Sequence, residues 1–474
     1  MKLTNIIILI YLLISTTLFL SFFENLFVWG SFFLNWLMLT VMLLYHLKIE
    51  RDYSPFLSAY ITFNYLFLLL APMVQIKSID GNNGLFPNNF PYSDWDVIYA
   101  NLVILAFHIL FFFAYRFFKG RYLNKYEVKP YKASKFTPLT LIVILIVTIV
   151  TLVLSFDYLQ ALIEMSHWRS NKFYEISVSK QLILKKVLYM MPFGAVVLGM
   201  HYLKQRKKIN DNAILMFLIM VGLFILFLYL KNPLTEKRNA IGPIYITMLF
   251  LFVPKLLNSN SKAFLFLFFS LVILFPLVSG LTHLDASFDE ILNNPELILE
   301  HYEEEGIVRT FNTLHYDAFA NVMATIDYTV TQGYSFGYQL LSGLLFFVPR
   351  SVWASKPLST GELIGDYVIE DYGFIYSNLS NPLVAEGYIN FGLFGIVLMA
   401  FLLGFFIVKF MNWLRTDDPL KKIMAFYFAV HLLFLLRGDF TNGFSYFIGT
   451  LFGVMIVPRL IDKFIGMSLK KSKK

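Results

Sequence analysis

Cysteine is absent from all 474 residues, and charged residues make up only 15% of them. The first absence removes disulfides, thiol nucleophiles and thiolate metal sites. The second, with a mean hydropathy of +0.64, excludes an ordinary soluble domain. Also missing are an HExxH, a Walker A or GxGxxG arrangement in a supporting context, and any Cys/His cluster. The usual signatures of zinc proteolysis, phosphate-loop chemistry and dinucleotide binding therefore do not apply, and no cofactor or metal is implied. No internal repeat or low-complexity linker is visible, which argues against the paired halves of a secondary transporter. What fills the chain is apolar: 58% hydrophobic residues, with 52 Phe. Such a composition reads as an all-α, polytopic integral membrane protein.

A bilayer core takes roughly 20 apolar residues per helix. The chain offers twelve such stretches, at about 5–23, 26–47, 56–76, 97–118, 137–156, 185–203, 213–230, 240–257, 263–281, 388–411, 421–436 and 444–461. The opening run lacks a clear small-residue cleavage site and is followed at once by a second apolar run, so it reads as a span and not as a signal peptide. Twelve spans place both termini on one side. Assigning them to the cytoplasm leaves 26 Lys/Arg inside and 13 outside, together the 39 in the sequence, as the positive-inside rule asks. The basic runs flank spans and are not interleaved with base-stacking aromatics, so the net charge of +8 reports topology and implies no nucleic-acid partner.

Three parts follow: residues 1–281 with spans one to nine, a large extracytoplasmic loop at 282–387, and residues 388–474 with spans ten to twelve and a basic cytoplasmic tail. Between Thr282 and Glu386 the loop carries fifteen acids and three bases, Arg309, Arg350 and Lys356, a balance of −12 opposite in sign to the whole chain. Within it, Phe288–Glu305 reads as a helical arm. Phe311, Leu314, Ala318, Val322, Ile326 and Thr329 recur at helical spacing, which predicts an amphipathic helix. Tyr338–Val348 is apolar but half the length needed to cross, and reads as a re-entrant or interfacial helix ending at Pro349.

Five groups of ionisable residues lie near the outer span ends. Lys237 and Arg238 open span eight, where helix amides favour an anion, although a snorkelling pair would look the same. Arg350 and Lys356 stand between Pro349 and Pro357 on a stiffened turn; they offer a phosphate a fork and a point charge, or simply balance the acidic loop. Arg169, with Lys172 and Glu175, lies between spans five and six, as a solvated loop or as part of a site. Arg437 ends span eleven, where the helix dipole alone explains a cation. The bases on offer are His315, Asp317, Glu362, Asp366 and Glu386; a carboxylate at the membrane boundary such as Glu386 is costly unless paired or useful, and Arg350 or Arg437 would be its structural partner. Asp94-Trp95-Asp96 has the form of a DxD metal motif, but acids also suit the start of span four.

Scarce cations above a cavity reachable from lipid fit a lipid-linked diphosphate, whose head group would meet them while its chain stays in the bilayer. The residues Gly337-Tyr338, Pro349-Arg350, Trp353 and Lys356-Pro357, followed by Glu386-Gly387-Tyr388-Ile389-Asn390-Phe391-Gly392 and Gly395, resemble the oligosaccharide repeat-unit polymerases of O-antigen and capsule assembly (Wzy-type). The likeness spans roughly 310–395, and departs from the family at Ala354-Ser355, where an acid is common. The resemblance implies a GT-C-like glycosyltransferase of the bacterial cytoplasmic membrane, working on its outer face. It would move the growing glycan from undecaprenyl diphosphate onto an incoming lipid-linked repeat unit, with a chain-length regulator as a further partner. Arg350, Lys356 and Arg238 would hold the leaving diphosphate, Arg169 or Arg437 the acceptor's, and Glu386 or His315 would be the catalytic base. An O-antigen ligase-like transferase is the nearest alternative; a lipid-linked oligosaccharide flippase is another, although its cations are expected deep among the spans.

Overall fold

The computed structural model describes residues 2–23, 25–78, 92–123, 138–166, 181–205, 211–233, 236, 238–276, 294, 310–311, 313–374, 377 and 379–471. All regular structure among them is helical. In chain order the helices are α1 (Leu3–Ser21), α2 (Leu26–Ile49), α3 (Pro55–Ile76), α4 (Asp94–Tyr122), α5 (Pro138–Leu154), α6 (Phe156–Ser166), α7 (Ile183–Gln205), α8 (Asp211–Leu230), α9 (Arg238–Phe252) and α10 (Asn260–Leu274). After them come α11 (Ala318–Gln332), α12 (Tyr338–Leu344), α13 (Thr360–Tyr372), α14 (Leu383–Arg415), α15 (Pro419–Arg437) and α16 (Phe440–Ser468).

Among the described residues, nine helices are long and apolar enough to cross a membrane: α1 to α4, α7, α8 and α14 to α16. A tenth crossing is available if α5 and α6 act together across a 63° bend. The bend falls at Ser155, whose hydroxyl donates to the Thr151 carbonyl one turn back, a competition with the helix ladder that favours bending. Of the remaining two expected spans the described residues show apolar stretches Ala240–Phe252 and Asn260–Leu274, each shorter than a crossing; residues 277–281 of the second expected span lie outside the described residues. Pro254 explains the first, because it lacks an amide and disfavours helical backbone at Val253.

Helix α3 is the central post: every residue of its apolar stretch is buried, with α2, α10 and α15 packed around it. It is apolar all round, as a helix surrounded by protein must be. Two of its polar groups meet neighbouring helices, Tyr60 with His108 on α4 (2.7 Å) and Ser58 with His46 (2.7 Å). Helix α4 runs between two faces of the bundle, with Tyr115 on Glu50 towards one end and Tyr99 on Tyr388 towards the other. One face is pinned by Glu50, which meets His46 Nδ1 at 2.7 Å and the Lys119 ammonium at 2.6 Å. Lys119 also reaches Asp52 at 3.0 Å, and Arg415 pairs with the same carboxylate.

The other face carries the 310–382 segment. The expected amphipathic helix is present as α11, entered through a tight turn at Leu314–Tyr316, with its apolar side against α14. The expected re-entrant segment is α12, a seven-residue helix that breaks into turns before Pro349. The expected arm at Phe288–Glu305 lies outside the described residues save Asn294. Asp94 and Asp96 begin α4: Asp96 accepts from the Ser93 amide and hydroxyl (both 2.8 Å), closing a capping box, and Asp94 accepts from Asn25 (3.0 Å).

Candidate functional site

Helix α14 is two arms, not one rod. Its ladder breaks at Phe391 (φ −147°, ψ 19°) and Gly392 (φ 60°, ψ −138°), the second a backbone state that glycine adopts at little cost. The arms then double back. Positions eight apart in a continuous helix lie about 12 Å apart, yet a Cβ added at Gly395 would sit 1.8 Å from the Gly387 carbonyl oxygen. The Gly387, Gly392 and Gly395 spacing is thus a hairpin instruction, and it explains why the helix starts at Leu383, five residues before the expected span.

Glu386 lies on the short arm and is 1% exposed. One carboxylate oxygen accepts from the Thr360 hydroxyl (2.8 Å) and the other from the Phe440 amide (2.8 Å) at the N-terminus of α16. Among the described residues no cation pairs with it; neither Arg350 nor Arg437 does. Beside it Asp439 caps α16, accepting from the Asn442 amide and side chain, both at 2.8 Å. Burial raises the Asp439 carboxyl above its ordinary value, against the pull of the Asn442 amide.

The two cations of the Phe346–Pro357 loop are bound into the loop itself. The Lys356 ammonium donates to the carbonyls of Leu345 (3.0 Å), Phe346 (3.0 Å) and Val348 (3.1 Å), in the turns that follow α12. Burial, then the nearby Arg350 charge, lowers the Lys356 pKa. Arg350 donates to the carbonyls of Lys356 and Pro357, and Tyr338 closes the ring through Ser355 (2.7 Å) with its edge on Trp353 (5.7 Å between ring centres). Lys356 therefore has all three of its donors engaged, whereas exposed Arg350 uses only part of its five-donor fork.

This loop forms one wall of a cavity of about 780 Å³. The other walls are the start of α7 and the first turns of α16, so that Phe346, Phe347, Val348, Ile183, Phe444 and Ile448 surround a space to which Arg350 and Lys356 contribute charge. Ser359 and Thr441, chain neighbours of the two groups that hold Glu386, also line it. A third cation faces the same space: Lys186 on α7, 7% exposed, donates to the Ser445 hydroxyl at 2.7 Å and sits 3.7 Å from the centre of the Tyr446 ring. Lys186 was not foreseen, because a lysine opening a span reads as an interfacial anchor. The available signal was the small-residue pair Gly449 and Gly453 facing it. A Cβ at Gly449 would lie 2.5 Å from Lys186 Cβ, and one at Gly453 would lie 2.4 Å from the Val187 carbonyl oxygen.

The other expected site residues are placed elsewhere. Arg437 donates to the Leu314 carbonyl (2.9 Å) and to buried Asp317 (3.3 Å), with its guanidinium over Phe67. Asp317 also takes the Ser380 amide and hydroxyl, so that pair fastens α15 to the entry of α11. His315 stands in the same turn, edge-on to Phe275. Neither His315 nor Arg437 lines the cavity. Arg238 begins α9, but its side chain, like the whole of Arg169, lies outside the described residues. Glu362 is exposed on the first turn of α13 and Asp366 is half-buried one turn later, both off the cavity wall.

Comparison with known proteins gives one family. No curated protein and no solved structure matches the chain. The match covers the glycine hairpin, Glu386, Arg437, Asp439 and Ser445, but stops short of the Arg350 loop. The family described as O-antigen polysaccharide polymerase Wzy matches residues 379–466, which supports the Wzy-type family for this chain and with it an enzyme with an O-antigen polymerase role.

Proposed function

We propose that the chain joins lipid-linked oligosaccharide repeat units, transferring the growing glycan from a polyprenyl diphosphate, of the undecaprenyl type, onto an incoming unit at the outer face of the cytoplasmic membrane. The observation that carries this is the cavity, in which walls of Phe, Leu, Ile and Val carry a small group of cations. An amphiphile with a long apolar tail and an anionic head has that polarity. In the transfer, an acceptor hydroxyl oxygen bonds to the anomeric carbon, the bond from that carbon to the diphosphate oxygen breaks, and the hydroxyl proton passes to a base. Arg350, with free guanidinium donors, is proposed to meet the departing diphosphate, where negative charge develops. Lys356 holds the loop that presents it.

Glu386 is the proposed base, standing one residue layer behind Ser359 and Thr441. His315 is the lesser candidate, since it lies beside Phe275 and not on the cavity. Arg238 is proposed to contribute to the leaving head group and Arg169 to the acceptor's, while Arg437 serves first as the anchor of Asp317. Replacing Arg350 by Ala tests the assignment. Cells carrying the variant at normal membrane levels should accumulate single lipid-linked repeat units and no polymer. Long polymer in that strain would sink it.

A further inference from the structure

Lys186 has no role in what precedes, and its surroundings ask for one. A lysine within a membrane-crossing helix is costly to bury unless it is paired, solvated or used. Among the described residues no carboxylate lies within ion-pair distance of its ammonium, whereas its neighbour Lys185 shares Glu236 with Lys231 (3.7 and 3.4 Å). One donor goes to Ser445, whose own hydroxyl donates to the Asn442 carbonyl (3.0 Å) and so turns a lone pair towards Lys186. The Tyr446 face lies under the same nitrogen, a cation–π contact that holds the ammonium without neutralising it. An ammonium carries three donors, and Lys186 lines the cavity, so positive charge is left facing that space. Lys356, with every donor engaged by carbonyls, has no such surplus.

We infer that Lys186 is a direct contact for the diphosphate, gripping it from the α7 wall while Arg350 reaches it from the loop wall. The inference rests on the reading that the cavity takes a polyprenyl diphosphate, and it adds which two side chains supply the charge. Arg350 gives a planar fork to one phosphoryl group, and Lys186 gives a point charge to the head group from the opposite wall. Ser445 and Tyr446 are positioning residues that keep the lysine aimed.

The test uses the full chain in lipid nanodiscs, with farnesyl diphosphate as probe and farnesol as its uncharged counterpart. Lys186→Gln keeps a polar partner for Ser445 and removes the charge. It should weaken farnesyl diphosphate binding by about 10- to 100-fold, the loss of a charge-assisted hydrogen bond, and leave farnesol binding unchanged. Lys186→Arg should hold affinity within a few-fold, and Lys185→Gln should bind as the unaltered chain does. Unchanged farnesyl diphosphate affinity in Lys186→Gln overturns the role of Lys186 while leaving the cavity reading standing. Equal loss of both probes assigns Lys186 to structure and overturns the inference as well. If the unaltered chain binds farnesyl diphosphate no better than farnesol, the diphosphate reading fails and the inference with it.

Discussion

Replacing Lys356 by Met separates a cation that holds the loop from one that holds a ligand. The substitution keeps most of the aliphatic stem and removes three ammonium-to-carbonyl bonds, to Leu345, Phe346 and Val348. Hydrogen bonds to a charged group contribute about 1.5–3 kcal/mol each in the best cases. Lys356 is only partly buried, water can replace the lost donors, and removing the charge relieves its repulsion with Arg350. A discount to about 1 kcal/mol or less per bond leaves roughly 2–3 kcal/mol for the loop. At 1.4 kcal/mol per tenfold, amides across 338–357 should then exchange about 30- to 150-fold faster in native-state hydrogen exchange. Peptides from α3, buried throughout, should not change. The refuting result is exchange identical to the unaltered chain together with lost farnesyl diphosphate binding, which would make Lys356 a ligand contact and not a strut.

Two further substitutions probe the walls. Gly449→Ala would put a Cβ 2.5 Å from that of Lys186; the α7 and α16 seam must open, and a thermal melt should show a loss of about 1–3 kcal/mol, whereas Gly466→Ala, with nothing within 4 Å, should show none. Asp439→Asn should cost under about 0.5 kcal/mol at pH 7 and Asp439→Ala about 1 kcal/mol, because Asn keeps the cap on α16. The pH dependence has a sign: burial raises the folded pKa of Asp439 from 3.8, so its contribution is most favourable at low pH and declines as pH rises through the unfolded value. Asp439→Asn should abolish that decline, and a stability that still falls as pH rises above the unfolded value, as in the unaltered chain, would count against it.

Hydropathy located the helices because crossing length is a local property. Where it failed, the cause was backbone chemistry that hydropathy averages away: Pro254 closing α9, Ser155 bending the α5 and α6 pair, and Gly392 folding α14 on itself. That 338–348 is too short to cross was legible from its length alone. The site was legible only in part. Arg350 and Lys356 stood out by their scarcity in an acidic loop, but sequence gives no sign that one ammonium is consumed by three carbonyls while the other cation keeps free donors. Lys186 was hidden for the opposite reason. Its meaning depends on Gly449, Ser445 and Tyr446, more than 250 residues away, which turn an ordinary interfacial lysine into one aimed at a cavity.

The same distinction between engaged and free groups bears on the proposed base. Each Glu386 oxygen holds one donor and so keeps a lone pair for a further partner; the two oxygens differ in how readily the present donor moves aside. The Phe440 amide belongs to the first turn of α16, where Asp439 fixes the backbone through the Asn442 amide, so that donor cannot withdraw without unwinding the helix start. The Thr360 hydroxyl turns about a single side-chain bond. The oxygen facing Thr360 is therefore the one free to change partner, and Ser359, the residue before it, already lines the cavity. Thr360→Val would take away the hydroxyl at nearly constant volume. If Glu386 is the base and the Thr360 hydroxyl aims its carboxylate, that variant should lower kcat while leaving farnesyl diphosphate affinity intact, since the proposed head-group contacts lie on the other walls; an unchanged kcat would refute the role given to Thr360.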